Sequence, residues 1–292
     1  MVTDKSKSEE EWVSGTIREF VRTSEQNSLM NSLGDRAWGE PLVGFCRGDD
    51  PLFDFFKNDI GPFHWTPLEI FSATYPEEPA ASADLTVITW ILPQMDATKA
   101  DHRRQKTHPA ERWTRARHFG EKFNELLRSH VADKLSAAGH PAVAPILSPL
   151  FAWRDSSRYS IASNWSERHA AFACGLGTFG LCDGLITSVG KAVRLGSVVA
   201  KISLHTQPRP YTDIHAYCLY YSQGACGKCM KRCPVGAIGE KSHDKIKCKS
   251  YLIDAMKEFT KEQIGIATPG CGLCQVGVPC ESGIPLQGKP SA

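Results

Sequence analysis

The sequence predicts an α/β layer followed by a small cysteine-rich domain. Apolar, β-branched runs that suit strands alternate with long helical patterns as far as residue 204. Eight of the eleven cysteines then fall between Cys218 and Cys280. With 292 residues, 41% of them hydrophobic, the chain can bury a sizeable core. We therefore expect residues 1–210 to form the layer and residues 211–292 to form the cysteine-rich domain.

Hydrophobic spacing predicts the elements of the layer. Apolar residues recur every three or four positions over residues 12–28 and 109–138, which predicts an amphipathic opening helix and a long helix packed on the sheet. Continuous apolar runs predict strands at residues 42–45, 85–92, 143–147 and 195–204. The strand at residues 85–92 is expected to be buried on both faces of the sheet. Residues 49–79 are rich in Pro, Gly, Asp and aromatic residues and predict a long irregular segment, of a kind that often lines a pocket.

Closely spaced cysteines carry the chemistry of the second domain. The stretch CGKCMKRCPVGAI sets Cys226, Cys229 and Cys233 at C-x2-C-x3-C with Pro234 directly behind, which is the back half of the bacterial ferredoxin run. A second group consists of Cys248, Cys271, Cys274 and Cys280. Eight thiolates meet the demand of two 4Fe-4S clusters.

Other uses of eight cysteines fit this spacing less well. A disulfide framework is typical of short secreted chains, whereas this chain is long and carries no secretory signal. Two structural zinc sites would also use eight thiolates. Zinc ribbons pair two C-x2-C knuckles, however, and have no use for a cysteine followed by proline. The pattern therefore favours iron–sulfur clusters.

The fourth cysteine of each run in two-cluster ferredoxins ligates the other cluster, which divides the ligands. We expect one cluster to be held by Cys233, Cys248, Cys271 and Cys274. The other cluster is then left with Cys218, Cys226, Cys229 and Cys280. A regular run would place a cysteine at position 223, where this chain has Gln223. Because eight cysteines suffice, we expect the other three to be small buried thiols, namely Cys46, Cys174 and Cys182.

Charge and hydropathy exclude several classes of partner. The formal net charge of +2 is too small to indicate nucleic-acid binding. The polar amino terminus has no signal-peptide pattern, and no apolar run is long enough to span a membrane, so we expect a cytoplasmic, oxygen-sensitive protein suited to anaerobic conditions. Lys and Arg are dense over residues 228–261. They either balance the negative charge of the clusters or form a docking face for an acidic electron donor.

A glycine motif precedes the cysteines. Residues 166–187 contain G-x-G-x-x-G at Gly175, Gly177 and Gly180. A dinucleotide-binding fingerprint follows a strand, opens a helix and has an acidic residue about twenty positions later. These glycines instead follow a helical segment that begins at Ser166. We interpret them as a helix C-cap and a tight turn that brings the backbone close to another strand or to a bound cofactor.

The order of these motifs resembles epoxyqueuosine reductases and, more distantly, the corrinoid core of reductive dehalogenases. The resemblance rests on ERHAAFACGLGTFG, GLITSVGKAVRLGSVV, CGKCMKRCPVGAI, KCKSYL and GCGLCQ. It implies a nitroreductase-like, cobalamin-binding α/β domain fused to a two-cluster ferredoxin domain that delivers electrons to cobalt. The glycine turn at Gly175, Gly177 and Gly180 is the feature that suits a backbone approaching a flat macrocycle.

The chain departs from this family at three places. Epoxyqueuosine reductases carry an acidic proton donor in a D-S-A-P-like segment ahead of the Glu-Arg pair, and residues 161–164 here contain no acid. The outer cysteines of one cluster are displaced to Cys218 and Cys280, the latter from the expected position of Val278. The helical repeats of the tRNA enzyme do not follow Pro285. We therefore do not expect queuosine chemistry on tRNA.

Two functions remain open. In the first, the protein is a reductase that binds a cofactor, such as cobalamin, and a small-molecule substrate, and receives electrons from a low-potential donor such as ferredoxin or flavodoxin. Tyr159 is then a candidate proton donor. In the second, the protein is an electron carrier or a reductive activator of a corrinoid partner protein. The missing acid favours the second function, whereas the aromatic residues between Phe53 and Tyr75 favour a pocket and the first, which we prefer.

Overall fold

The computed structural model describes residues 4–241 and 243–285, and a four-stranded sheet lies at the centre of its amino-terminal part. The helices of this part are α1 (Asp4–Thr23), α2 (Leu52–Ile60), α3 (Pro67–Thr74), α4 (Asp96–Arg103), α5 (Glu111–Ala137) and α6 (Glu167–Ala173). The strands are β1 (Leu42–Arg47), β2 (Leu85–Pro93), β3 (Ala142–Val143), β4 (Trp153–Ser156), β5 (Ser160–Ser163), β6 (Gly177–Phe179), β7 (Leu185–Thr187) and β8 (Val193–Lys201).

The central sheet has the strand order β1-β2-β8-β3, and every neighbouring pair runs antiparallel. Alternating strands and helices are more often found around parallel sheets. Strand β2 is nevertheless buried from Leu85 to Leu92, as its continuous apolar run predicted. The burial arises because helices cover both faces of the sheet. Two separate hairpins, β4-β5 and β6-β7, lie outside this sheet.

Successive residues of β2 supply the two halves of the core, because strand side chains alternate between faces. Ile88 and Trp90 belong to the cluster that also contains the buried residues of α1 and α5. Val87 and Ile91 belong to the cluster that contains those of α2, α3 and α6. A Cβ at Gly196 of β8 would lie 2.4 Å from the Trp90 ring, so this strand needs glycine opposite the indole. The long helical pattern of α5 is thereby confirmed as the cover of one face.

Three predictions about the layer need correction. Helix α1 is displaced toward the amino terminus and ends at Thr23, where the Asn27 amide donates to the Val21 carbonyl. The segment predicted to be irregular contains α2 and α3; Thr66 and Glu69 form a reciprocal capping box at α3, and Pro67 occupies its first turn. Strand β3 is only two residues long because Pro145, which has no N–H to donate, opens a 3-10 turn.

The cysteine-rich part consists of short elements. They are α7 (Leu219–Gln223), α8 (Lys228–Arg232), α9 (Lys245–Ser250), a π-helical turn (Tyr251–Met256), α10 (Lys257–Ile264) and a 3-10 turn (Leu273–Gln275). This part packs on the layer, since the Lys191 and Ala192 N–H groups donate to the carbonyls of Cys280 and Glu281 at 2.9 and 3.2 Å. In the residues described, no helix is long and apolar enough to cross a membrane. The boundary near residue 210 stays a prediction.

Candidate functional site

Four cysteines from distant positions line one small cavity. Cys218, Cys226, Cys229 and Cys280 surround a space of about 20 Å³ together with Lys191. These are the four cysteines that the sequence assigned to one cluster, and we call the set site 1. Cys218 and Cys229 are buried whereas Cys226 is exposed, so site 1 lies close to the surface. Burial raises the pKa of the Cys280 thiol to about 11.

Left-handed backbone angles turn the chain around site 1. Helix α7 ends at Gly224 with φ of 64°, and Gly227 opens α8 with φ of 77°. Glycine adopts these angles without steric cost. Cys226 also has a positive φ, of 88°, which is unfavourable for a residue with a Cβ. Strain of this kind concentrates at functional positions.

A second group of thiols, which we call site 2, contains Cys233, Cys248, Cys271 and Cys274. Burial raises the pKa of Cys271 to about 11, and the neighbouring Cys248 and Cys233 thiols act in the same direction. The Ala237 N–H donates to the Cys233 Sγ at 3.2 Å. Two of the other three thiols of site 2, those of Cys233 and Cys248, thus lie near Cys271. Cys274 neighbours Cys271 too, but its sulfur is hydrogen-bonded to Cys182.

The donor chemistry of both sites fits 4Fe-4S clusters. Each site offers four thiols, and iron–sulfur clusters are held by four Cys thiolates. The backbone bond to the Cys233 sulfur is of the type that tunes such clusters. Within residues 4–241 and 243–285, no three Cys, His, Asp or Glu side chains are grouped so as to hold a single metal ion. The division of the ligands between two clusters stays a prediction.

The thiol of Cys182 and the ammonium of Lys191 lie between the two sites. The Lys191 Nζ donates to the Cys182 Sγ at 3.2 Å, and both side chains are buried. Hydrogen bonds with Cys229 of site 1 and Cys274 of site 2 lower the pKa of Cys182 well below its ordinary value. Cys182 is therefore a buried thiol, as predicted, but it contacts predicted ligands of both clusters. Lys191 had no spacing signal that could have identified it.

Tyr159 and four other polar side chains form a group, which we call the Tyr159 cluster: Asp59, Tyr159, Asp183, His243 and Lys245. The Tyr159 hydroxyl donates to Asp59 Oδ2 at 2.6 Å, and the Lys245 Nζ lies 4.2 Å from the centre of the Tyr159 ring. Lys245 is 3.9 Å from Asp183 Oδ2, and His243 Nδ1 is 3.2 Å from the same oxygen. The cluster joins α2, the β4-β5 hairpin, the β6-β7 turn and α9.

The protonation of the Tyr159 cluster follows from burial and contacts. Burial raises the pKa of the Tyr159 phenol above its ordinary value. Burial lowers the pKa of Lys245. For His243, burial opposes the charged form, but hydrogen bonds with Asp183 and Cys248 outweigh it and raise the pKa to about 10. Because Cys248 belongs to site 2, a chain of polar contacts connects this site to Tyr159.

The glycine motif makes its close approaches to protein. Gly175 has φ of 77° and follows the end of α6, as a C-cap glycine does. A Cβ at Gly177 would lie 2.4 Å from the Ile186 carbonyl oxygen, and a Cβ at Gly180 would lie 3.3 Å from the Ile186 side chain. The flat partner of Gly177 is therefore strand β7. A corrinoid contact at these glycines stays a prediction.

The two remaining cysteines lie in the layer. Cys46 of β1 and Cys174 at the end of α6 are buried, and their sulfurs are 2.9 Å apart. Burial raises the pKa of Cys174 well above its ordinary value. Both are buried thiols of the core, as predicted.

Comparison with known proteins supports the assignment of the cysteine-rich part. The profile of the 4Fe-4S double cluster binding domain matches residues 224–279, which include six of the eight predicted ligands but neither Cys218 nor Cys280. No curated protein matches the chain in sequence at a significant level.

Solved structures similar to this chain include reductive dehalogenases, one of them described with B12-dependent dehalogenation, and epoxyqueuosine reductases. Catabolic reductive dehalogenase NpRdhA in complex with 3-bromo-4-hydroxybenzoic acid matches 94% of this chain and 37% of its own, at 14% identity and a TM-score of 0.52. Epoxyqueuosine reductase with a tRNA-Tyr stem loop matches 95% of this chain and 68% of its own, at 17% identity and a TM-score of 0.46. The chain spans between 29% and 37% of the length of the first dehalogenases it matches.

The cluster-domain profile and the similarity to NpRdhA confirm the resemblance that the motifs predicted, at the level of fold and cluster domain. The similarity to NpRdhA extends over nearly the whole chain, so it includes the layer as well as the cysteines. The nitroreductase-like character of the layer goes beyond this similarity. Residues 224–279 thus match a 4Fe-4S double cluster binding domain, and the chain as a whole is similar in fold to a reductive dehalogenase.

Proposed function

We propose that this protein is an iron–sulfur reductase that uses two 4Fe-4S clusters to move electrons to a cofactor or small substrate near Tyr159. The observation that carries the proposal is the chain of polar contacts from His243 through Asp183 and Lys245 to Tyr159, with the Cys248 thiol of site 2 acting on the charge of His243. When bound, the clusters supply single electrons at a potential that their surroundings set. Reduction of an organic substrate consumes protons as well, and the Tyr159 phenol, whose hydroxyl is hydrogen-bonded to Asp59, supplies one.

Four members of the Tyr159 cluster hold or donate a proton or stabilise the charge that its transfer leaves. Tyr159 is the donor, because its raised pKa keeps the phenol protonated at neutral pH. Lys245, over the ring face, stabilises the negative charge that develops when the phenol loses its proton. Asp183 orients Lys245 and His243, and the pKa of His243 of about 10 keeps that imidazole protonated. Tyr159 thus replaces the carboxylic acid that the chain lacks at residues 161–164.

The electron donor is an acidic low-potential protein, such as a ferredoxin or flavodoxin. The surface of α9 exposes Lys247 and Lys249 beside site 2, and α10 adds Lys257 and Lys261, the latter paired with Glu258. An excess of one charge sign speeds encounters with a partner of the opposite sign and makes the rate sensitive to salt. We expect the rate of cluster reduction by flavodoxin to fall as ionic strength rises, and to fall at low salt when these lysines are changed to glutamine.

A corrinoid is the finer proposal for the electron acceptor. The structure provides a cavity of about 370 Å³ lined by Tyr211, Asp213 and Tyr217, which is at the small end for a ligand pocket and is lined by no residue of the Tyr159 cluster. The proposed glycine cradle is filled by β7 and does not fit a flat macrocycle as it stands. Titration with cobalamin under anaerobic conditions, followed by its visible spectrum, tests whether the chain binds one.

Cluster content is the first experiment. Anaerobically purified protein should contain about eight iron and eight sulfide per chain. Cys271→Ser should remove one reduced-state spin signal and Cys280→Ser the other, since they belong to different sites. Stoichiometric zinc without visible charge-transfer absorption would refute the proposal. Loss of the same signal in both variants would refute the division of ligands.

The second experiment separates a reductase from an electron carrier. Reduced protein is supplied with 3-bromo-4-hydroxybenzoic acid, the ligand of the similar dehalogenase structure, with and without added cobalamin, and bromide release is measured. Tyr159→Phe should lower bromide release at least tenfold. The control Tyr75→Phe should not lower it, because the hydroxyl that it removes donates to the Ala142 carbonyl, away from the Tyr159 cluster. Rapid oxidation of the clusters by a corrinoid protein, with no bromide release, would favour the electron-carrier function. The filled glycine turn supports that alternative.

A further inference from the structure

Lys191 is a buried cation that is surrounded by thiols. Its side chain is 3% exposed, and its Nζ donates to the Cys182 Sγ at 3.2 Å. It also lines the cavity of site 1. The thiols that act on its charge are those of Cys182, Cys280, Cys229 and Cys274. A buried ammonium is costly unless negative charge lies close to it, so the partner of Lys191 must come from these sulfurs.

A second buried lysine in the same region is balanced differently. Lys99 is 7% exposed, and its Nζ lies 2.8 Å from Asp96 Oδ1 and 2.9 Å from Ser282 Oγ. Its positive charge is therefore compensated by a carboxylate of its own helix. The two lysines are matched in burial but differ in what faces the ammonium. Of these two lysines, only Lys191 depends on the cysteine sites for its counter-charge.

The backbone holds Lys191 firmly in place. Its N–H donates to the Cys280 carbonyl at 2.9 Å, and the next residue donates to the Glu281 carbonyl. Gly190 precedes it with φ of 87°, and a Cβ there would lie 2.1 Å from the Glu281 carbonyl oxygen. The chain that carries the ammonium and the chain that carries a site 1 thiol are thus hydrogen-bonded side by side. The distance between the charge and site 1 is fixed by the fold.

We propose that Lys191 sets the reduction potential of the cluster held at site 1, an inference that rests on the proposed function in requiring the clusters. Adding an electron to a thiolate-held cluster makes it more negative. A fixed positive charge in a poorly solvated site stabilises the more negative state, and net charge and hydrogen bonds to sulfur are known determinants of cluster potential. Lys191 therefore raises the potential of site 1, and Cys182 positions its ammonium.

Redox titration of the anaerobic holoprotein, followed by electron paramagnetic resonance, tests the proposal. The variants are Lys191→Met, which removes the charge, and Lys191→Arg, which keeps it, with Lys99→Met as the control. In Lys191→Met the ratio of reduced to oxidised site 1 cluster at a fixed potential should fall about tenfold, equal to about 59 mV for one electron. Lys191→Arg and Lys99→Met should keep the wild-type midpoint to within a third of that shift.

Three outcomes would overturn the inference. An unchanged midpoint in Lys191→Met would show that the ammonium does not act on the cluster. Equal shifts in Lys191→Met and Lys191→Arg would point to packing rather than charge. If Lys191→Met and a further variant, Lys191→Gln, both fail to hold iron, whether or not Lys191→Arg holds it, the lysine acts in cluster assembly instead.

The proposed function fails separately, if the wild-type protein holds no clusters. When the wild-type protein holds about eight iron, the three outcomes bear on Lys191 alone.

Discussion

The sheet layer and the cysteine-rich part are stabilised by different means. The largest fully buried side chains include Trp38, Trp90, Phe56 and Phe123, all of them in the layer. Helices α7 and α8 of the cysteine-rich part have five residues each, which is too short for independent stability. Their buried groups include the thiols of Cys218 and Cys229. The comparison indicates that packing holds the layer, and we expect the cysteine-rich part to depend on its clusters, because the free energy of metal binding becomes folding free energy.

The layer also contains a buried ionic network. Arg128 of α5 is 1% exposed and bonds Glu121 at 3.1 Å, Glu167 at 3.0 Å and the Leu195 carbonyl at 2.9 Å. Glu121 also pairs with Arg194. These contacts tie α5 to α6 and to β8 without any cysteine. They offer a way to weaken the layer while leaving the cluster sites intact.

Removal of the clusters should have the largest effect and should separate the two parts. Chelation of iron under reducing conditions removes the stabilisation of the short helices, so residues 219–285 should lose essentially all amide protection in hydrogen exchange. Strands β2 and β8 and helix α5 should keep theirs, because their contacts are apolar. Loss of protection throughout the chain would contradict the comparison and would show that the layer also depends on metal.

Substitution of Glu121 should weaken the layer alone. Glu121→Gln leaves Arg128 and Arg194 without this carboxylate, and breaking a buried ion pair costs about 3–5 kcal/mol. Urea unfolding followed by the helix signal measures the loss. The visible absorption of the clusters should be unchanged in the folded variant. As a control, Glu258→Gln removes an exposed pair with Lys261 and should cost less than about 1 kcal/mol.

The same carboxylate gives the layer a defined sensitivity to acid. Burial opposes the ionisation of Glu121, but Arg194, Arg128 and Arg117 outweigh it and lower its pKa from 4.5 to about 2. Because the folded pKa lies below the unfolded one, this stabilisation is complete above pH 4.5 and is lost as the pH falls toward 2. It amounts to about 3 kcal/mol. The difference in unfolding free energy between wild type and Glu121→Gln should therefore shrink over this range; a difference independent of pH would contradict the assignment.

A smaller effect is expected at the seam between the two parts. Gly190→Ala introduces a Cβ that would meet the Glu281 carbonyl oxygen at 2.1 Å, whereas the matched Gly139, with φ of 86°, has no heavy atom within 4 Å of the same position. Gly190→Ala and the control Gly139→Ala both bear the strain of a positive φ, about 1 kcal/mol. We expect Gly190→Ala to cost about 2 kcal/mol more, by overpacking, and to loosen iron at site 1. Equal thermal midpoints for the two variants would argue against tight pairing at the seam.

Local patterns anticipated several elements well. The apolar run of β2, the periodicity of α5 and the Ser166 cap of α6 each act within a few residues, and the structure confirms all three. Helices α2 and α3 were missed because their aromatic residues suggested a loop. The capping box of Thr66 and Glu69 was the signal that could have revealed α3.

The sequence by itself determined that this is an iron–sulfur protein, because thiolate spacing and the Cys-Pro step are local properties that the cluster domain profile also detects. It also determined which segments are buried strands and long helices. Only the tertiary structure decided that the sheet is antiparallel and that Cys218 and Cys280 share one cavity. It alone brought Lys191 to Cys182 and linked His243 to Tyr159 through Asp183 and Lys245. These partners are distant in the chain or follow no periodic pattern, and charges of this kind meet only when the packed elements bring them together.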